Sequence, residues 1–290
     1  MADSSSTAAR PSAAQPAGSP SAASRPAAPG PRPGAVSSLV ALGDSFTEGV
    51  GDPWPDGSHC RGWADRLAEI LAVQSPGLRY ANLAIRGKML AQILDEQVPA
   101  AAAMRPDLVT IAAGGNDLLR PRVDPDRLAE PFNAAIEELT AAGCRVLVFA
   151  GFNPSLFPLI RLIRRRAAIF NAHLRVIARQ HDCLLVDLWG MRVLSDPRMW
   201  CDDRLHLAPE GHHRVALRTA EELGVPVEAN WREPLPLVAR TGGAVPAWAA
   251  ARRLDVEWAR AHAAPWVRRR LAGVSSGDGM SPKRPDLVPL

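Results

Sequence analysis

Short apolar runs alternate with segments of helical periodicity along most of this chain, and this alternation limits the fold more than any other feature. The apolar runs are typical of buried strands, and the segments between them place apolar residues three and four positions apart, as amphipathic helices do. Strands are predicted at 38–42, 79–85, 107–113, 145–150 and 183–187, and helices at 62–73, 89–104, 125–142, 159–181 and 209–223. Strands that alternate with helices form a parallel sheet covered on both faces. The sequence therefore predicts a three-layer α/β/α sandwich with a parallel sheet of about five strands.

The turns that follow three of these strands carry the residues of greatest chemical interest. Ser45, Gly87 and Asn116 each come just after a predicted strand, in three different strand-to-helix turns. In open parallel sheets, ligands bind at the carboxyl ends of the strands. The functional site is therefore predicted at this edge of the sheet.

The two ends of the chain differ in composition from its middle. Residues 1–36 are rich in Ala, Pro and Ser and are predicted to be a disordered extension, and residues 37–224 form the predicted domain. Residues 225–274 carry four of the eight tryptophans, and this segment is expected to be partly helical and to pack on the domain, near the substrate cleft or at a homodimer interface. Residues 275–290 are predicted to be a disordered tail.

Charge and targeting signals narrow the partners and the location. The formal charge of +4 comes from the two ends, because residues 225–290 hold ten Arg and Lys against six Asp and Glu. Solvated basic tails explain this better than a nucleic-acid site, which concentrates charge on a folded face. Residues 1–36 lack the apolar region of a signal peptide, and no run reaches the roughly eighteen apolar residues of a membrane span. A cytoplasmic location without nucleic-acid partners is expected.

The four cysteines form no CxxC pair, which argues against a zinc ribbon or a thioredoxin-type site. Cys144 and Cys183 lie beside apolar runs and are interpreted as buried small hydrophobic residues. Cys60 and Cys201 lie near the predicted site loops, and their pairing as a disulfide stays open.

Four sequence blocks converge on one chemistry. They are Gly43-Asp-Ser-Phe-Thr-Glu-Gly49, Asn82-Leu-Ala-Ile-Arg-Gly87, Gly114-Gly-Asn-Asp117 and Asp203-Arg-Leu-His206. Each block alone is weak, but four in this order, at the ends of the predicted elements, resemble the SGNH hydrolases, which include the GDSL-like lipases and acylhydrolases. The resemblance spans about residues 38–224, and it implies the flavodoxin-like SGNH fold and a serine esterase that needs no cofactor.

The resemblance also implies a role for each block. Ser45 would be the nucleophile, His206 the general base, and Asp203 the acid that orients the imidazole. The backbone N–H groups of Ser45 and Gly87 and the side-chain amide of Asn116 would form the oxyanion hole. Asp44 and Asp117 are as well explained by a structural role in the turns around Ser45 and Asn116.

Structural explanations exist for the same residues. Ser45 is also suited to be a helix N-cap, Gly87 to be an ordinary turn glycine, and Asp203 to cap a helix or pair with Arg204. Asp202 competes with Asp203 for the role of the acid, but the three-residue spacing to His206 favours Asp203. His212 and His213 are interpreted as surface or packing residues.

Two other residue patterns, a GxSxG motif and a group of acidic residues and histidines, are less well supported as sites. Gly273-Val-Ser-Ser-Gly277 matches the GxSxG nucleophile elbow, but no strand precedes it and no histidine follows His262. Asp202, Asp203, His206 and His212 could in principle hold a metal, but the serine mechanism explains more of the same residues. The prediction is a hydrolase of small-molecule carboxylic esters through an acyl-enzyme, with no metal. A carbohydrate O-deacetylase, a thioesterase and a non-catalytic binding module of the same fold are the alternatives.

Overall fold

A computed structural model describes residues 36–156, 160–236 and 274–290, together with six residues between 258 and 268. Five parallel strands form the body of one sheet in the order β5-β4-β3-β1-β2, and a sixth strand, β6, lies antiparallel beside β2. The strands are Ser38–Gly43 (β1), Arg79–Asn82 (β2), Leu108–Ala112 (β3), Arg145–Ala150 (β4), Leu184–Asp187 (β5) and Arg284–Pro289 (β6). The predicted fold class and the five parallel strands are confirmed.

Helices connect the successive strands of the parallel sheet, and α8 follows the last of them. They are Ser45–Glu48 (α1), Gly62–Gln74 (α2), Leu90–Gln92 (α3), Val98–Met104 (α4), Gly115–Leu118 (α5), Pro125–Ala141 (α6), Arg164–Gln180 (α7) and Pro209–Glu222 (α8). The helix predicted at 89–104 contains a π-helical turn, Ile93–Gln97, between α3 and α4. A 3₁₀ turn, Ile160–Ile163, precedes α7, and three more 3₁₀ turns, between residues 188 and 199, lie in the long connection from β5 to α8. Within the described residues, no helix is long and apolar enough to cross a membrane.

Two hydrophobic cores lie on opposite faces of the sheet. All six residues of β1 are buried, and they alternate between the two cores: Leu39 and Ala41 belong to one, Val40 and Leu42 to the other. This alternation follows from the strand geometry, in which successive side chains point to opposite faces. Helices α2 and α8 pack together over the first core, and α6 and α7 over the second. Burial on both faces is why the strands are continuous apolar runs.

The prediction that residues 275–290 are disordered is wrong. The strand β6 pairs with β2 through Tyr80 and Val288 among others. Without it, β2 would leave a row of unpaired backbone N–H and C=O groups at the edge of the sheet. The sequence of β6 hides its structure, because prolines interrupt it at positions 285 and 289. Proline is tolerated in an edge strand, where the missing N–H is not needed by a second neighbour.

The other predictions about the ends fall mostly outside the described residues. Of the extension predicted at 1–36, only Val36 is described, and it is buried in the first core. Of the segment predicted at 225–274, the structure describes residues 225–236, six residues between 258 and 268, and residue 274; Val225 is buried against α8 in the first core. Trp231, in the same part, donates its indole N–H to Glu221 at 2.8 Å.

Candidate active site

Ser45 and Asn116 lie side by side because the strands that precede them are neighbours. Ser45 opens α1 directly after β1, and Asp44 caps that helix by accepting the backbone N–H of Phe46 at 3.1 Å. Asn116 lies in the first turn of α5, after β3, and β1 pairs with β3 up to Gly43 and Ala112. The chain runs from β1 outwards to β2 and then returns past β1 to β3. The strand order therefore reverses between β1 and β3. Such switch points are the usual ligand sites of open parallel sheets.

His206 reaches Ser45 on a long loop that starts at the far edge of the sheet. The loop leaves β5 and is folded back on itself near its end, where Trp200 and Leu207 form an isolated antiparallel bridge. The backbone N–H of Cys201 donates to the carbonyl of His206 at 2.9 Å within this turn. Beyond the loop, α8 is held to the nucleophile side by the buried His212. Its Nδ1 accepts the backbone N–H of Trp63 at 3.1 Å, so Nε2 carries the proton and faces the carbonyl of Val50 at 3.2 Å.

The three residues predicted as nucleophile, base and acid form one hydrogen-bonded chain. Ser45 Oγ lies 3.0 Å from His206 Nε2, and His206 Nδ1 lies 2.6 Å from Asp203 Oδ2. The other oxygen of Asp203 accepts the backbone N–H groups of Leu205 and His206, each at 3.0 Å. A hydroxyl, an imidazole and a carboxylate in this order are the arrangement that activates a serine for attack on a carbonyl.

The structure places the two predicted oxyanion donors beyond Ser45 itself, Asn116 and Gly87, differently. Asn116 lines the cavity at Ser45, and its side-chain amide donates to Asp44 Oδ2 and to the carbonyl of Lys88, each at 3.0 Å. Gly87 lies next to Lys88 in the turn after β2, but it does not line the cavity. Among the residues that the structure describes, the backbone N–H groups of Ser45 and Gly87 meet no hydrogen-bond acceptor.

A cavity of about 150 Å³ opens beside Ser45 and His206. It extends from the catalytic-type residues towards α7 and the loop after β4, and most of its wall is apolar. The apolar side chains that close it include Leu118, Phe152, Ile160, Ala167, Phe170 and Leu174. This cavity was not predicted from the sequence. The only signal was the apolar spacing of Ala167, Phe170 and Leu174 along α7, which an ordinary core helix shows equally well.

Comparison with known proteins decides the family. Residues 41–214, more than half of the chain, match the GDSL-like lipase/acylhydrolase family. The chain belongs to this family. The resemblance inferred from the four blocks is thereby confirmed, and family membership makes the chain a hydrolase that acts on ester bonds. No curated protein matches this GDSL-family chain at a significant level.

Solved structures of esterases share the fold of this GDSL-family chain. Axe2, an acetylxylan esterase from Geobacillus stearothermophilus, is 21% identical, with a TM-score of 0.55 over 69% of this chain and 98% of its own. TesA is 28% identical, with a TM-score of 0.52 over 64% of this chain and 97% of its own. EstA, a psychrotrophic esterase from Pseudoalteromonas sp., is 18% identical, with a TM-score of 0.52 over 65% and 97%. The match covers nearly all of each neighbour, but only about two thirds of this chain.

Electrostatic interactions determine where the protons lie along the hydrogen-bonded residues Asp203, His206 and Ser45 of this GDSL-family hydrolase. Partial burial raises the pKa of Asp203, but the hydrogen bond and charge of His206 and the two backbone N–H groups outweigh it and lower the pKa to about 2. Asp203 is therefore ionised at neutral pH and can only accept hydrogen bonds. His206 Nδ1 must then carry the proton, and Nε2 presents its lone pair to the hydroxyl of Ser45.

The environment of Asp44 shifts the pKa of its carboxyl group in the opposite direction. Burial raises its pKa to about 6, against the lowering effects of the Phe46 N–H and the nearby His206, and the charge of Asp117 raises it further. Its side chain is 8% exposed, and it accepts the amide of Asn116. Asp44 thus links the turn of the nucleophile to the residue predicted as an oxyanion donor, at a cost in folding free energy when it is ionised.

We expect Asp44→Asn to stabilise the protein relative to wild type increasingly between about pH 4 and pH 6. The folded state holds the Asp44 proton more tightly than the unfolded state, so wild-type stability falls as the pH rises through this window. A rise in pKa from 3.8 to about 6 corresponds to about 3 kcal/mol at neutral pH. Urea unfolding of both proteins at pH 4 and pH 7 measures how the difference between their free energies of unfolding changes with pH. The loss of a hydrogen bond alone would leave that difference constant.

Asp203 supplies the contrast for this measurement. Its lowered pKa means that its ionisation stabilises the fold above the ordinary value near 4 and that this contribution is lost as the pH falls towards 2. The stability lost in Asp203→Asn relative to wild type should therefore shrink as the pH falls from about 4 towards 2. A difference for Asp44→Asn that does not change from pH 4 to pH 7 would contradict the raised pKa of Asp44.

The remaining candidates of the sequence analysis lie in other places. Cys60 and Cys201 are free thiols. Within the described ranges, no three His, Cys, Asp or Glu side chains form a metal-ligand group. Ser275, the serine of the GxSxG match, packs against Gly87 rather than at the end of a strand before a helix. Trp258 lies over the guanidinium of Arg204 at 5.2 Å, beside Asp203, so one residue of the predicted Trp-rich segment contacts the loop that carries His206.

Proposed function

We propose that this chain is a serine carboxylesterase that forms an acyl-enzyme on Ser45 and that prefers esters of apolar acyl groups with about six carbons beyond the carbonyl. The observation that carries the mechanism is the hydrogen-bonded chain from Ser45 Oγ through His206 to Asp203. The observation that carries the substrate class is the apolar cavity beside it. Family membership supports ester hydrolysis, and these residues supply its chemistry.

In the proposed mechanism, Ser45 Oγ attacks the ester carbonyl while His206 Nε2 takes its proton. The bond from the carbonyl carbon to the leaving alkoxide then breaks, and the alkoxide takes that proton from His206. Water attacks the acyl-enzyme in the same way, and the acid product leaves with Ser45 restored. Ionised Asp203 stabilises the imidazolium that exists between the two proton transfers.

The oxyanion of each tetrahedral intermediate needs donors that are already in place. The backbone N–H groups of Ser45 and Gly87 are proposed as two of them, because no protein acceptor among the described residues competes for them. The amide of Asn116 is proposed as the third. Its bonds to Asp44 and to the carbonyl of Lys88 orient it, and the developing negative charge would draw one of its N–H groups away from a partner.

The size of the cavity sets the length of the acyl group. A dry cavity of about 150 Å³ lined by Leu, Ile and Phe holds a benzene molecule, which has six carbon atoms. The cavity beside Ser45 has the same volume and a similar lining. An acetyl group would leave most of it empty, whereas a hexanoyl to octanoyl chain would fill it. Each buried methylene contributes about 0.8 kcal/mol, which is about fourfold in binding.

The experiment that tests the proposal is a series of p-nitrophenyl esters from acetate to dodecanoate. We expect kcat/KM to rise about 10²-fold from acetate to hexanoate, since four methylenes enter the cavity, and to fall beyond octanoate. A serine-reactive phosphonate should label Ser45. Activity on the acetate equal to or above that on the hexanoate would instead favour the O-deacetylase alternative, and absence of both turnover and labelling would favour a non-catalytic binding module.

Ala167→Leu tests whether the acyl chain enters this cavity. Ala167 is buried on α7 and lines the cavity, so three added carbons there shorten the space for the acyl group. The ratio of kcat/KM for hexanoate to that for acetate should fall about tenfold, with acetate hydrolysis nearly unchanged. Ala172→Leu, the same change at an exposed position of the same helix, is the matched control. Equal ratios in the two variants would place the acyl chain elsewhere.

A further inference from the structure

The C-terminal segment, residues 274–290, lies beyond the part of the chain that matches the family, which ends at residue 214. It forms a turn at residues 276–279 and then the strand β6, which pairs with β2. The strand places the segment beside the turn that follows β2, and that turn contains Gly87. An added piece of chain thus contacts one of the proposed oxyanion donors.

The contact between the C-terminal segment and the Arg86–Gly87 turn is close on both sides. Gly277 is buried, and a Cβ on it would collide with the carbonyl oxygen of Arg86 and press on the Ile85 side chain. In return, a Cβ on Gly87 would collide with the hydroxyl of Ser275. The Arg86 carbonyl therefore occupies the space that a side chain on Gly277 would need, and the Ser275 hydroxyl occupies the space that a side chain on Gly87 would need. The position of one segment sets the position of the other.

A buried ion pair anchors the segment next to this contact. Lys283 Nζ lies 2.9 Å from Asp65 Oδ1, and both side chains are 7% exposed. The ammonium also donates to the carbonyls of Cys60 and Arg61 at 2.7 and 2.8 Å. Its three N–H donors are thus all used, and Asp65 accepts the hydroxyl of Tyr80, in β2, at 2.7 Å. Breaking a buried pair of this kind leaves an uncompensated charge, so the segment is firmly held.

The nucleophile helix holds the same turn from the opposite side. The backbone N–H of Arg86 donates to Glu48 Oε2 at 2.6 Å, and its guanidinium forms an ion pair with the same carboxylate. Glu48 is the last residue of α1, the helix that begins with Ser45. The Arg86–Gly87 turn is therefore fixed between the helix of the nucleophile and the C-terminal segment.

We propose that the C-terminal segment positions the oxyanion hole: the Ser275–Gly277 turn sets the place of the Gly87 backbone N–H relative to Ser45. Ser275 and Gly277 act as positioning residues, since they contact the turn that bears the donor and not the substrate. The inference rests on the proposed function, because it concerns the donor that this function assigns to Gly87. Displacement of a catalytic group by about 1 Å can lower the rate 10²-fold, so a shift of the Gly87 N–H would have a measurable effect on the rate.

Gly277→Ala and Gly279→Ala form a matched pair that tests the contact. Gly277 has no positive φ, so alanine there is opposed by the contacts with the Arg86 carbonyl and the Ile85 side chain and not by backbone strain; Gly279 has a φ of +75° but open space around it. We expect Gly277→Ala to lower kcat for p-nitrophenyl hexanoate about 10- to 100-fold with KM changed less than about threefold. The rate of phosphonate labelling of Ser45 should fall in parallel. Gly279→Ala should have a lower melting temperature than wild type but the same kcat.

The outcomes separate this inference from the proposed function. If Gly277→Ala keeps a kcat within about twofold of that of Gly279→Ala, or loses activity only in proportion to its unfolded fraction by circular dichroism, the inference is overturned. If Gly277→Ala does not fold, Ser275→Ala is the deciding variant, because it removes the hydroxyl that contacts Gly87 and introduces no collision. It should lower kcat about three- to tenfold at an unchanged melting temperature. An unchanged kcat would overturn the inference. A wild-type chain without ester hydrolysis would overturn the proposed function and this inference with it.

Discussion

Ser45→Ala and His206→Ala are each expected to lower kcat for p-nitrophenyl hexanoate by about 10⁴–10⁶, and the double variant is expected to be no slower than either single one. The reason is the geometry of the pair. Ser45 Oγ lies 3.0 Å from His206 Nε2, so the two act as one unit in which the base is useful only to its nucleophile. Once either is missing, the remaining rate comes from substrate binding and the oxyanion donors, which the second substitution leaves intact.

The measurement is the kcat of the three variants at a pH near 8 on the hexanoate ester, with circular dichroism to establish folding. His213→Ala, a half-buried histidine of α8 outside the cavity, is the matched control and should keep wild-type activity. The phosphonate should label wild type and His213→Ala, but not Ser45→Ala. A double variant clearly slower than either single variant, or a labelled serine other than Ser45, would contradict the proposed triad.

Asn116→Ala is expected to lower kcat about 10²–10³-fold with little change in KM. The amide is proposed to bind the oxyanion, which exists only in the transition state and the intermediate, so its loss leaves ground-state binding in place. Asn116→Asp keeps the size of the side chain but replaces the donor amide by a carboxylate. It should be at least as slow as Asn116→Ala, because a negative charge then faces the oxyanion and Asp44.

Steady-state kinetics on the hexanoate ester measure this effect, and the melting temperature together with KM separates its causes. A structural role for Asn116 would lower the melting temperature and raise KM together, since Asn116 also bonds to Asp44 and to the Lys88 carbonyl. A loss in kcat of less than about tenfold in both variants, in folded protein, would remove Asn116 from the oxyanion hole.

The elements of this domain could be read from the sequence because each is a local pattern. Both faces of the sheet are covered, so every strand is an apolar run, and β4 was predicted with its observed bounds of Arg145–Ala150. The helices kept their apolar spacing, and the errors there are in the first turn of α7 and at the π-helical turn before α4. The strand β6 could not be read, because its two prolines and lack of apolar alternation give no local signal.

For the site, the sequence by itself determined which residues stand at the carboxyl ends of the strands. Ser45 and Asn116 follow β1 and β3, and a parallel sheet necessarily gathers such ends at one edge. Asp203 and His206 were found through their spacing and their family resemblance. Their approach to Ser45 depends on a loop that starts at the opposite edge of the sheet, and no local pattern encodes its path.

Only the tertiary structure decided the shape of the site. The cavity proposed to hold the acyl chain is built by residues from α1, β3, α5, β4, α7 and the loops after the strands, and its volume is what these distant groups leave unfilled. The contact of Gly277 with the Arg86–Gly87 turn joins residues that are almost two hundred positions apart. Periodicity reveals which face of an element is buried, because it repeats every two or 3.6 residues. Packing between elements has no such repeat, so the space beside Ser45 and the support behind Gly87 became visible only in the folded chain.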